Sequence, residues 1–150
     1  MDKRFENFSV NIIKMSKLVQ KIKQLEVGGY KLQAIHVMCV YYLNEHREGL
    51  TASELARYTL EDKAAISRAL IKLKENGYAN YDPKKYNAAV KLTPEGEKLA
   101  QILLERASNA VNFVGRDLTE TEREEFYRVI ATLSDNLNTY YEDLKKSRKK

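Results

Sequence analysis

The chain has no tryptophan, one cysteine, two prolines and six glycines in 150 residues. Each scarcity excludes something. A lone cysteine, Cys39, cannot form an internal disulfide framework. So few glycines and prolines argue against a sandwich or barrel made of many tight turns, and favour helices. No apolar run approaches the length of a membrane span, and the first residues, MDKRFENFSV, lack the apolar core of a signal peptide. A cytoplasmic protein with no membrane partner is the expectation. Signatures of catalysis are missing too: no glycine-rich phosphate loop, no histidine paired with a nucleophile in a recognisable motif, no metal-hydrolase pattern. Carboxylates are plentiful, but they fall at helix starts and solvent-facing positions, where the helix dipole and hydration account for them. The reading is of a protein that is not an enzyme and takes no cofactor.

What is present is charge concentrated in one stretch. The net charge is +5, and between Lys63 and Lys91 stand Lys63, Arg68, Lys72, Lys74, Lys84, Lys85 and Lys91 against only Glu75 and Asp82. That local excess equals the charge of the whole chain, which is the distribution that phosphate contact requires. A second basic cluster, Lys145, Lys146, Arg148, Lys149 and Lys150, reads as a solubilising end.

The basic stretch lies within a recognisable unit, Thr51 to Pro94. Thr51-Ala52-Ser53-Glu54 has capping-box spacing and opens a short helix to about Tyr58. After Thr59-Leu60, with Glu61 or Asp62 as N-cap, a second helix runs from about Lys63 to Asn76 and stops at Gly77. Its residues Ile66, Ala69, Leu70 and Leu73 fall on one side and pack inward. Lys63, Ala64, Ser67, Arg68 and Lys72 fall largely on the other. Such positions are ordinarily a solvated face. Here they are small, hydroxylated and basic, which suits approach to base edges with cations left over for phosphates. Strands then follow at Tyr78–Tyr81 and Ala88–Leu92, around the basic turn Asp82-Pro83-Lys84-Lys85-Tyr86-Asn87. A helix-turn-helix followed by a basic hairpin is a winged helix.

Several of these residues carry a family likeness. Ser53-Glu54-Leu55-Ala56, the run from Ile66 through Arg68 to Tyr78, and Val90-Lys91-Leu92-Thr93-Pro94-Glu95-Gly96 together resemble the MarR family of bacterial transcription regulators. The likeness extends to a long helix on each side and so covers nearly the whole chain. It implies a mainly α fold: residues 31–93 as a winged helix-turn-helix with a small hairpin wing, and residues 1–30 and 94–150 as a helical dimerisation region. It also implies a homodimeric regulator, a repressor, that binds a palindromic operator in double-stranded DNA and is released by a small-molecule effector. The family's wing usually carries an acidic residue, one intervening residue and an arginine. Here Lys84-Lys85-Tyr86 occupies that place, so lysine contacts to the backbone replace a minor-groove arginine. Bases are assigned to Lys63, Ser67 and Arg68, with Ala64 a small residue on the same DNA-binding face, the backbone to Lys72, Lys84 and Lys85, and Tyr86 at the tip to stacking or phosphate bonding.

The flanks carry two narrow apolar seams, which one copy of the chain could bury against each other or two copies could intertwine; the resemblance implies the latter. From Asp2 to about Glu26, Phe5, Phe8, Ile12, Met15, Val19 and Ile22 recur at alternating steps of three and four, a seam for a partner helix, and Gly28-Gly29 ends the run. A helix from Lys31 to about Glu45 is apolar over a broad arc. Thr93 caps a helix with Pro94 in its first turn, continuing to Gly115, and Thr119 to Glu122 forms a second capping box. The last helix places Phe126, Ile130, Leu133, Leu137, Tyr140 and Leu144 on one stripe. An effector crevice between extension and head, which the resemblance implies, would draw on Ile12, Met15, His36, Tyr42, Arg106 and Asn109. Each of these also reads as ordinary core or rim.

Two further groups of residues bear on metal binding and redox chemistry. His36 and Cys39, three apart on one helix, fall short of a metal site without more ligands, so no metal is assigned; carboxylates completing it would make a metal-responsive regulator of the same fold. Cys39, mid-helix among apolar neighbours, reads as a buried, inert thiol. A winged helix that recognises another protein instead of DNA is the remaining alternative.

Overall fold

The computed structural model describes residues 3–148, with the side chain of Phe5 left out. The expected helix start at Asp2, the place of Phe5 in the seam, and Lys149 and Lys150 of the basic end lie outside the described residues. The fold is mainly α: α1 (Lys3–Phe5), a π-helical segment Glu6–Val10, α2 (Asn11–Val27), a 3-10 turn Gly28–Tyr30, α3 (Ala34–Glu45), α4 (Ala52–Thr59), α5 (Lys63–Glu75), β1 (Ala79–Asn80), β2 (Lys91–Leu92), α6 (Pro94–Val114) and α7 (Glu120–Ser147). Residues 1–107 and 108–150 form two compact units.

The first unit holds one core. Val27, Cys39, Val40, Leu43, Leu55, Ile66, Leu73, Val90 and Leu99 are almost completely buried, drawn from α2 through α6. Three signals read from sequence appear as drawn. Thr51 caps α4, with Glu54 reaching back to its N–H; Asp62 rather than Glu61 caps α5, accepting from Ala65 N–H at 2.9 Å; and Thr93 Oγ accepts from Gly96 N–H at 3.1 Å.

Gly28-Gly29 ends α2 at Val27 as expected, and two other expectations are corrected. Gly28 stays right-handed, the chain tightens into a 3-10 turn, and Lys31 takes the positive φ of 57° with its N–H on the Gly28 carbonyl. The next helix therefore starts at Ala34, three residues later than the apolar pattern suggested, with Gln33 as its N-cap. The wing strands are also shorter than expected. Ala79 pairs with Leu92 and Asn80 with Lys91, whereas Val90 forms its own two hydrogen bonds with Leu50. Val90 is thus recruited away from the hairpin, and the segment from Tyr81 to Ala89 is left as an irregular loop.

The apolar seams read from sequence are not covered in the single chain. In the first unit Phe8, Ile12, Met15, Val19 and Ile22 are all exposed. In the second unit α7 runs 28 residues with no buried residue at all, and Phe126, Ile130, Leu137, Tyr140 and Leu144 are exposed.

Candidate nucleic-acid interface

The site is built on α5 and the loop that follows it. Ile66, Ala69, Leu70 and Leu73 anchor the helix in the core, as their spacing required. That orientation turns Ala64, Arg68 and Ile71 outward, all of them exposed, with Lys63 and Ser67 on the flank toward the wing and Lys72 on the flank toward α3. The face read as one surface from sequence is therefore an outward ridge with two different flanks.

The wing flank is organised by short-range bonds. Asp82 Oδ1 accepts from Lys84 N–H at 2.9 Å and holds the turn that projects Lys84 and Lys85. Asn87 takes a left-handed φ of 52°, and its side-chain oxygen accepts from Ser53 Oγ at 3.3 Å, tying the loop to α4. Lys63 Nζ stands 5.5 Å from the centre of the Tyr86 ring, joining the start of α5 to the wing tip. Tyr86 itself is 88% exposed, with its ring available to a strand. Lys74 is withdrawn: its ammonium donates to Tyr81 O at 2.6 Å and to Asn80 Oδ1, so it braces the hairpin. Ser67 Oγ donates to Lys63 O at 2.8 Å, which spends its proton within the helix and leaves its lone pairs as acceptors.

Sequence reasoning passed over two residues here. Ile71, half exposed, projects from the outward ridge; its wheel position opposite Ile66 and Leu73 was the available signal. An apolar side chain there suits a thymine methyl. Lys31, outside any helix, joins Arg68 and Lys72 around a hollow of about 370 Å³ on the α3 flank. No periodicity reveals that.

The six residues assigned to an effector crevice are not drawn into one site. His36 is buried and lines the hollow beside Lys31 and Arg68, with none of the other five. Ile12 and Met15 lie exposed on α2, and Tyr42 stacks on Tyr58 with ring centres 5.2 Å apart. Arg106 donates to the Glu26 carbonyl at 2.7 Å and to its carboxylate, so it clamps the end of α2. Asn109 is an exposed residue of the second unit. An apolar cavity of about 200 Å³ instead opens among Val37, Met38, Tyr41, Leu103 and Leu104, with Lys23 at its edge. Burial lowers the Lys23 pKa against a smaller opposing influence of Glu61.

Among the described residues no three His, Cys, Asp or Glu side chains gather as a metal would require. Burial, with the Glu61 charge in addition, pushes the Cys39 thiol up to about 12.

The fold is that of a MarR-type winged helix-turn-helix. A MarR transcriptional regulator from Methanosarcina mazei superposes with a TM-score of 0.81 at 21% identity, over 91% of each chain. A MarR family regulator from Listeria monocytogenes, solved with a 26mer DNA, gives 0.83 at 18% identity over 93% of this chain and 94% of that one. MepR of S. aureus, also solved with DNA, gives 0.75 at 17% identity over 91% and 99%. By sequence, residues 41–83 match the IclR helix-turn-helix domain. That segment is the helix-turn-helix with the start of the wing; the structural likeness also takes in the long flanking helices. No curated protein matches the chain in sequence.

Proposed function

We propose that this chain is a MarR-type transcription regulator that binds a palindromic operator in double-stranded DNA as a homodimer and acts as a repressor. The observation that carries the reading is the ridge of α5: Ala64, Arg68 and Ile71 stand outward from a buried apolar anchor, flanked by Lys63, Lys84, Lys85 and Tyr86 on a tied wing. Small side chains let the helix approach bases, an arginine matches guanine acceptors, and the wing lysines meet phosphates.

The exposed seams support dimerisation. Apolar stripes as long as those of α2 and α7 are not left in water by a stable protein of this size, and a second copy of the same chain is the partner that repeats both. Two heads held about 34–36 Å apart read successive turns of one duplex face, and each raises the effective concentration of the other. An effector fits this scheme as a small, mostly apolar molecule with an anionic group, seated in the cavity beside Lys23, that alters the spacing of the heads.

Selection of bound duplexes from a random pool tests the whole reading. The expected result is a two-fold symmetric sequence with half-sites about one turn apart and two chains per duplex. A well-folded monomer with no affinity for duplexes in low salt defeats it, and salt-insensitive behaviour points to a protein partner.

A further inference from the structure

Lys31, Arg68 and Lys72 surround the hollow of about 370 Å³ between the start of α3 and α5, and no carboxylate lines it. Among the described residues none of the three makes an ion pair. Like charges lining one hollow repel one another, and an anion seated among them offsets part of that repulsion.

The wall of the hollow supplies an independent observation. His36 is 5% exposed, and its Nδ1 accepts the Gln33 backbone N–H at 2.8 Å. Nδ1 also lies 3.1 Å from the Gln33 carbonyl, but its shorter contact is to the N–H, which can only donate; with that bond made, the neutral ring carries its proton on Nε2. Among the described residues, Nε2 is the buried side-chain polar atom with no hydrogen-bond partner. Burial first, and the Lys72 charge in addition, lower the His36 pKa against the opposing Gln33 carbonyl. In that tautomer the ring is a neutral donor without an acceptor, on the wall of the hollow that Lys31, Arg68 and Lys72 also line. At the start of α3 the Ala34 N–H donates to Gln24 Oε1 at 3.1 Å and the His36 N–H to the Gln33 carbonyl at 2.9 Å. Side chains, not a bare helix end, make this site.

We propose that the hollow seats an oxyanion of the phosphate type, held by Lys31 and Lys72 against the His36 wall, beside the Arg68 that is assigned to the bases. The group comes from the duplex backbone or from a free anion. The first source rests on the DNA-binding reading, because a strand passing the α3 flank of α5 would bring a phosphate to Lys31; the second does not depend on it.

The test uses the full chain as wild type, Lys31→Gln and Lys31→Arg, with melting curves to confirm folding and Lys72→Gln as the second variant if Lys31→Gln does not fold. Affinity for a selected and a scrambled duplex is measured against salt. Inorganic phosphate is titrated separately at constant ionic strength, with the His36 ring nitrogens followed by NMR. If the duplex is the source, Lys31→Gln loses about three- to tenfold on both duplexes, the salt slope falls by about 0.9, and Lys31→Arg restores both. If a free anion is the source, phosphate shifts His36 Nε2 saturably, Lys31→Gln abolishes the shift, and duplex affinity is unchanged. An unaltered salt slope together with an unmoved His36 overturns the site while leaving DNA binding intact. A wild type that binds no duplex removes the DNA reading instead, and the phosphate titration then decides the site alone, a saturable shift supporting it and a flat response overturning it.

Discussion

Gly96 packs so closely on the carbonyl of Tyr78 that a Cβ added to it would stand 1.9 Å from that oxygen. The same carbonyl accepts the Thr93 N–H at 3.0 Å, and Thr93 Oγ accepts the Gly96 N–H. The Leu92-Thr93-Pro94-Glu95-Gly96 run is therefore a joint: it seats the first turn of α6 on the strand that begins the wing, and only glycine fits its closing position. The wing's orientation toward α5 depends on that joint.

Gly96→Ala should accordingly cost about 2–4 kcal/mol, as overpacking against backbone that cannot yield. Gly28→Ala is the control, since Gly28 has right-handed backbone and nothing within 4 Å of its added Cβ. It should be neutral or stabilise by about 0.4–1 kcal/mol through the unfolded chain. Urea denaturation of both variants checks the pair; equal midpoints would discard the joint.

On α5, Arg68→Ala should weaken specific binding by about 1–3 kcal/mol and relax preference at one position of each half-site. Ile71→Ala should weaken preference for thymine alone. Competition between the selected duplex and single-position variants measures both. Equal losses on matched and scrambled duplexes would take Arg68 off the bases.

For the wing, Lys84→Ala and Lys85→Ala should weaken every duplex alike and flatten the salt slope by about one unit each. Asp82→Ala should act similarly without removing a cation, because Asp82 Oδ1 holds the turn through the Lys84 N–H. Salt titrations of the three variants separate lost charge from lost order: the first two change the slope, the third the affinity at every salt.

Acid should loosen the capping boxes. The Glu54 and Glu122 carboxyls are held below the usual carboxylate range, chiefly by backbone N–H bonds from Thr51 and Thr119 at 2.8 Å and then by the threonine hydroxyls. Their folded pKa values lie below the unfolded ones. The stability they contribute is therefore complete above the unfolded value, near 4.3, and disappears as pH falls through the lowered folded values. Thermal melts between pH 7 and 3 should show Glu54→Gln and Glu122→Gln less acid-sensitive than wild type. Parallel curves would remove the two boxes from the acid transition.

Cys39 is completely buried, and its pKa is pushed up to about 12. An aromatic disulfide reagent at pH 7–8 should label it only as fast as the protein unfolds, and denaturant should release the reaction. Rapid labelling of the folded protein would show an opening of α3 that its packing does not suggest.

Local chemistry set much of this molecule. Thr51, Asp62, Thr93 and Thr119 cap where their hydroxyls and carboxylates met backbone N–H groups only a few residues away, and the inward face of α5 followed from a spacing of three and four. These are short-range interactions, legible in one dimension. The boundary of α3, the diversion of Val90 to Leu50 and the need for glycine at position 96 were settled by contacts between distant segments, against which local preference is weak. The same holds for the interface. Residue types along α5 announced a basic, small-sided helix, but the bonds that occupy Lys74 and the meeting of Lys31 with Arg68, Lys72 and His36 exist only once the chain has folded back on itself. Sequence determined which side chains are available; packing decided which of them still have a free hand for a partner.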